Sequence, residues 1–316
     1  MKRTLCILAV LLVIAGGVLM LATFPTMLSE YRRNDSYTAY SENLKTSYDS
    51  IEISTINANL TVTNTADGIP AVDAETDPAF RVDIESKDGK LMIEEVDLRK
   101  WYQKIGIFSP KPGKIEVRLA DGEYSDLNVE SDNGDIVIKV DLHDMRALSF
   151  GDISTNTVNG DTDINLLTVS GIVLSKSKNG NINLVIGHDP AEGLPWTSLV
   201  SGMTTNGNIT DQSVAGAKSF TTGNGRITST GRFGMLYAKT VNGDIELNSV
   251  LGDKVNAESV NGAIKAILLK PMNYVTSSKN GRVTVPKETG ESPFVASTVN
   301  GDITIEIAAG IELLDD

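Results

Sequence analysis

Nine copies of Asn-Gly, each opening a short apolar run, constrain this chain more than any other feature. They begin at Asn133, Asn159, Asn179, Asn206, Asn224, Asn242, Asn261, Asn280 and Asn300. The last five intervals are 18, 18, 19, 19 and 20 residues. A fixed period in this range marks a stacked repeat architecture. Aligned on the Asn, the copies form columns. Two residues before it stands Ser or Thr every time, from Ser131 and Thr157 to Ser278 and Thr298. Six before it is a large apolar residue such as Leu127, Val173 or Phe294, with Lys218 breaking the column and Phe220 two places along. Three after it is Ile or Val except at Thr162. Five after it is apolar except at Asp211 and Ser229.

These positions differ by twos within each arm, which is the strand signature and puts them on one face. Gly is expected here to supply the positive φ of a tight reversal. Each copy is then strand, corner, strand. A degenerate earlier copy is visible at Asn57-Ala58-Asn59-Leu60. Asn-Gly between alternating runs also suits a two-residue hairpin, and nine hairpins would make an antiparallel meander. Column identity favours an all-β, single-stranded β-solenoid, because a coil stacks like on like at about 4.8 Å. A meander has no need of the same residue type in every copy.

The N-terminus carries a different signal. Lys2-Arg3 precedes an uncharged apolar run that opens at Leu5 and closes at Ala22. That is long enough for a transmembrane helix, and no convincing cleavage site follows. The expectation is an uncleaved signal anchor over 1–33, a polar linker over 34–47, an irregular β cap over 48–125 and the solenoid over 126–316. The bulk of the chain is expected outside the cytoplasmic membrane. Cys6, the single cysteine, reads as an apolar membrane residue, so disulfides play no part. Residues 1–33 hold four of the 28 basic and one of the 41 acidic residues, which leaves 24 against 40. Such an acidic exterior argues against nucleic acid.

The anchor, the irregular β half and the serial Ser/Thr-x-Asn-Gly-Asp-Ile phrase resemble the bacterial putative-adhesin β-solenoid family, which includes LiaG-like proteins. The segment from Leu98 to Phe108, with Trp101-Tyr102, strengthens the likeness. The resemblance covers roughly 48–308 and implies a surface location rather than a ligand.

Candidate chemistry is sparse. His143 and His188 each neighbour an Asp, but no nucleophile accompanies them, and they read as loop residues in the two stretched repeats. Asp135, Asp161 and Asp163 stack closely enough to invite Ca²⁺ through carboxylate oxygens. They are also the nearest approach to a glycosidase pair, so a polysaccharide-acting β-helix enzyme of the envelope is the alternative reading. Turn chemistry explains them more simply. The reading taken is non-enzymatic, with no cofactor. The one departure from repeat logic is 97–114, where Arg99, Lys100, Lys104 and Lys111 surround Trp101 and Tyr102. As a plain cap it covers the first coil. As an interaction patch it suits an anionic cell-wall polymer, lipid headgroups or another envelope protein.

Overall fold

The computed structural model describes residues 9, 12–18, 21–22, 37–45, 48–65, 68–104, 110–140, 148–187 and 197–308. The chain opens with β1 (Thr38–Asn43) and the first coil, β2 (Ser50–Thr55) and β3 (Ala58–Asn64). Then come β4 (Ala71–Thr76), β5 (Phe80–Lys87) and β6 (Lys90–Asp97), the last two a hairpin closed by Asp88-Gly89, both at positive φ. A 3-10 turn at Trp101–Lys104 leads to β7 (Gly113–Leu119).

From there the repeats run in pairs across each Asn-Gly: β8 (Gly122–Ser131) and β9 (Ile136–Lys139), β10 (Leu148–Thr157) and β11 (Thr162–Leu166), β12 (Ile172–Ser177) and β13 (Ile182–Ile186), β14 (Thr197–Thr204) and β15 (Ile209–Asp211). After β16 (Ala215–Thr222), β17 (Ile227–Thr240) and β18 (Ile245–Glu258) each run from the second arm of one coil into the first arm of the next. They turn that outer corner at Gly231 (φ 92) and Ser249 (φ 53). The chain closes with β19 (Ile264–Leu268), β20 (Asn273–Ser278), β21 (Val283–Thr284), β22 (Pro293–Thr298) and β23 (Ile303–Ile307).

Successive repeats pair in parallel and in register, so the structure is a solenoid and not a meander. Leu127 lies beside Ile153, Ile153 beside Val173 and Val173 beside Val200. On the second arm Ile182 lies beside Ile209, and Ile209 beside Ile227. The inward columns of the two arms meet in one buried core. The Ser/Thr column points inward as well. Thr157, Ser177, Thr204, Thr222, Thr240, Ser259, Thr298 and Ser278 donate to the carbonyls of Gly134, Gly160, Gly180, Gly207, Gly225, Gly243, Gly262 and Gly301 at 2.7–3.4 Å.

Outside the corner, each Asn side chain from Asn159 onward donates to the Asn of its stacked neighbour, as Asn179 does to Asn159 at 2.8 Å, and Asn133 donates to the Ile56 carbonyl at 3.2 Å. The residue two after the Asn makes a third ladder. Where it is Asp or Asn, its side-chain oxygen accepts a backbone N–H of the adjoining coil, as Asp135 does from Asp161 and Asp161 from Asn181.

Gly serves the corner for a reason other than the expected one. None of the Asn-Gly glycines has positive φ. A Cβ on Gly225 would instead lie 1.9 Å from the carbonyl oxygen of Gly207 beneath it. Close approach of stacked backbones, rather than handedness, excludes a side chain.

Both ends of the stack depart from chain order. At the N-terminal end β2–β3 lies inside, between β8–β9 and an outer layer of β6 and β7. At the other end β22–β23 inserts between β18–β19 and β20–β21. Asn300 accordingly donates to Asn261, and Asn280 to Asn300.

The N-terminal end is covered. Antiparallel β5 lies along β6, antiparallel β4 along β7, and β1 along β4.

Among the described residues no helix is long and apolar enough to cross a membrane. Of the expected span, residues 9, 12–18 and 21–22 are helical and the remainder lies outside the described residues. The expected transmembrane helix is therefore not shown. The two repeat insertions also fall largely outside, and with them His143 and His188.

Candidate interaction surface

In the outermost layer, 98–112 replaces the tight Asn-Gly corner, joining β6 to β7 by a longer path. With no stacked Asn-Gly corner in that layer, the N–H groups of the first coil's corner need another acceptor. Glu95, on β6, supplies the acceptor: one carboxylate oxygen takes the N–H of Ile56, Asn57 and Ala58 at 2.7, 2.7 and 3.1 Å. Glu95 is buried. The residue reads as an ordinary strand charge in sequence, and nothing in the repeat columns points to it. The other side of the corner is held by Asn57, whose amide donates to Lys111 O at 3.0 Å.

The segment itself is built on Asp97. Its carboxylate accepts from the Arg99 backbone at 2.9 Å and the Arg99 guanidinium at 2.9 and 3.0 Å, and pairs with Lys104 at 3.1 Å. Arg99 also lies over the Phe80 ring, 5.2 Å from its centre. The Arg99 hydrogen bond, followed by the Arg99 backbone and Lys104, holds the Asp97 carboxyl well below the usual carboxylate range against the opposing effect of partial burial.

Of the six candidate residues, then, Arg99 and Lys104 are engaged by Asp97, Arg99 half-buried and Lys104 exposed. Lys100, Lys111 and Trp101 are exposed, Trp101 at 77%, with exposed Leu98 beside them in sequence. The Tyr102 side chain and 105–109 lie outside the described residues.

The calcium and glycosidase candidates resolve into ladder members. Asp135 and Asp161 accept backbone N–H groups, and Asp163 accepts the Asn183 amide at 2.8 Å. Among the described residues no group of three metal-ligating side chains forms.

The depressed Asp97 pKa sets a pH dependence. A carboxyl with a folded pKa below its unfolded one stabilises the fold above the unfolded value, near 4, and loses that contribution as pH falls. Hydrogen bonds to a charged group are worth about 1.5–3 kcal/mol. Asp97→Asn is expected to cost about 2 kcal/mol at pH 7 and to flatten the acid limb of the stability profile below pH ~4. An unchanged acid limb in chemical denaturation would show that Asp97 does not hold the cap.

The chain matches the Toastrack DUF4097 family over residues 48–306. It belongs to that family. The matched stretch runs from the first coil to the last strand, so the Toastrack unit comprises cap and solenoid together. No curated protein matches this Toastrack chain.

Solved structures with the same fold include one described as a putative adhesin from Parabacteroides distasonis. It has 14% identity and a TM-score of 0.52, over 87% of this chain and 98% of that one. A putative adhesin from Bacteroides fragilis has 14% identity and a TM-score of 0.40, over 87% and 98%. A putative lipid binding protein from Parabacteroides distasonis has 15% identity and a TM-score of 0.39, over 86% and 97%. At this identity the first likeness speaks for the fold of the Toastrack chain alone.

Proposed function

We propose that this protein is a non-enzymatic binding module of the bacterial cell envelope. Its N-terminal apolar segment tethers it to the outer face of the cytoplasmic membrane, and its cap meets anionic headgroups there. The observation that carries the reading is a hydrogen bond from the Tyr37 hydroxyl to the Pro112 carbonyl, 3.2 Å long. It ties the chain leaving the apolar segment to the end of the aromatic and cationic segment. A tethered rod would therefore present Leu98, Trp101, Lys100 and Lys111 to the bilayer. Exposed apolar rings beside cations suit that interface. The described part of the apolar segment supports the tether, since Leu12, Val13, Ile14, Val18 and Leu21 are all exposed. The descriptions of the neighbours as adhesin or lipid binding protein agree in kind.

Residues 34–316 should bind vesicles containing anionic lipid in a salt-sensitive manner and ignore neutral ones. A basic residue at such a surface is worth about 1 kcal/mol, so Lys100→Gln with Lys111→Gln should weaken binding about thirtyfold. Lys104 stays intact in this test, because its loss would loosen Asp97. No binding by the unsubstituted protein at low salt would end the headgroup reading. A reporter fused after Asp316 tests the orientation: activity of one that works only in the cytoplasm would overturn it.

A further inference from the structure

The two sides of the N-terminal cap are of unequal height. On the first-arm side β6 lies on β2, and β5 on β6. On the second-arm side β7 lies on β3, β4 on β7 and β1 on β4. The second arm therefore ends one strand further out. No strand stands opposite β1, and among the described residues β5 pairs with β6 alone. The outer edge of β5 is bare, and a bare edge recruits another strand.

This step forms a slot. Its cleft of about 500 Å³ is lined by Thr38 and Tyr40 of β1, Thr76 of β4 and residues 80–85 of β5. That volume lies in the range of ligand sites. The floor is apolar: Phe80 and Val82 are buried and Ile84 is half-buried. The wall is the inner face of β1. Thr38, Tyr40 and Glu42 stand opposite Thr76, Ala74 and Val72, which are 4%, 3% and 0% exposed. The three β1 residues are nevertheless all exposed, Tyr40 at 40%. A face that is core one layer below is open here.

An extended strand laid along β5 suits this vacancy. Its backbone would pair with the bare edge, and alternate side chains would cover Val82 and Ile84 and face Tyr40.

Charge selects which strand. Arg81, Asp83, Glu85 and Lys87 alternate with the floor residues, and Glu94 lies beside Asp83 on β6. With Glu42, the rim sets four carboxylates against two cations. Arg81 is already engaged by Asp83 at 2.6 Å. The Tyr40 hydroxyl titrates above its ordinary value because of its bond to Glu42, then burial, then the Glu42 and Asp83 charges. The slot is thus electronegative. Its charges blunt the edge against a purely apolar strand and favour a basic one.

A second copy does not fit. Two-fold antiparallel pairing of β5 with its copy would bring the copy's β4 into the layer that β1 already fills.

We propose that the slot between β5 and β1 is a strand-docking site for an extended peptide segment of a partner protein, apolar on its inner face and basic on its outer one. It is separate from the exposed Trp101 and Lys100.

The probe is a short synthetic peptide of alternating valine and lysine, added to the full chain in detergent. It should slow amide exchange along β5 at least tenfold and leave β20 unchanged. The same peptide with proline at alternate positions lacks ladder N–H groups and should give no protection. Glu85→Lys with Glu94→Lys, both at exposed positions, should leave the fold intact and weaken peptide binding about tenfold. Protection of β5 no greater than that of β20 would overturn the proposal. So would equal protection by the proline peptide, since charge alone would then hold a basic peptide to an acidic protein. Protection of β5 that rises with protein concentration in the absence of peptide would overturn it too, because a second copy would then fill the slot.

Discussion

Gly225→Ala is expected to cost at least about 4 kcal/mol, the range reserved for changes the structure cannot absorb. The added Cβ would stand 1.9 Å from the Gly207 oxygen and 2.6 Å from its carbon. Both are backbone atoms, so no side chain can swing aside. Relief requires the layers to separate by more than 1 Å, on the order of a quarter of the strand spacing. That separation would break the bonds that close this corner: Thr222 to Gly207 O at 2.9 Å, Asn224 to Asn206 at 2.7 Å and the Arg226 N–H to Asn208 at 2.8 Å. Gly216→Ala is the control. It lies in the same stretch of the stack, but its Cβ would meet its nearest neighbour, Ser198 O, at 3.2 Å. A few tenths of an ångström suffice there, and the expected cost is below about 1 kcal/mol. Denaturant unfolding of the two variants measures the difference. If Gly225→Ala fails to accumulate folded, exchange protection in the Gly216→Ala protein still reports whether its layers stay closed. Equal losses would show that corner clearance does not govern the stack.

Much of this architecture was legible because a coil repeats its environment. From Thr157 onward, the position two before each Asn meets the equivalent glycine carbonyl of the adjoining layer, so it keeps a hydroxyl. The positions three and five after it meet the same core, so they keep Ile or a near equivalent. The same degeneracy hides the order of the layers. Ser278 and Thr298, or Val283 and Ile303, fit either neighbour equally well, and regular spacing between Asn261, Asn280 and Asn300 suggested stacking in chain order. The structure exchanges the last two coils. What distinguishes them is local: Pro286 follows β21 closely and shortens it, which suits an end layer better than a middle one.

The N-terminal inversion was hidden for a different reason. β6 and β7 form a layer without the Asn-Gly mark, and Glu95 does the work of a corner from a strand position. As for the candidate patch, residue types showed that 97–114 was special. Only geometry shows that Arg99 and Lys104 hold Asp97 while Trp101 and Lys100 lie exposed beside them.

Three of the four residues that broke the columns belong together. Lys218 interrupts the apolar column six before the Asn, and Asp211 and Ser229 interrupt the column five after it. In the fold these are neighbouring positions on facing arms. Lys218 Nζ lies 2.8 Å from Asp211 and donates to the Thr230 carbonyl at 2.7 Å. Ser229 donates to the same carboxylate at 2.7 Å, and the Ser213 N–H reaches its other oxygen at 3.1 Å. Both charged side chains are wholly buried. Phe220 can shift two places because its flanking positions in the stack are Gly202 and Ala238. Burial pushes the Lys218 ammonium down from its ordinary pKa, opposed by the Asp211 charge and hydrogen bond.

An ion pair so enclosed is costly to break from one side and cheap to replace from both. Lys218→Met or Asp211→Leu alone should each lose about 3–5 kcal/mol, since each strands one buried charge. The double variant restores apolar residues to both columns and should recover most of that loss, ending within about 2 kcal/mol of the parent. Full recovery is not expected, because the Thr230 carbonyl and Ser229 hydroxyl lose their partners. A double variant as unstable as the two single losses summed would mean that the pair is not coupled, and that the broken columns mark two separate defects.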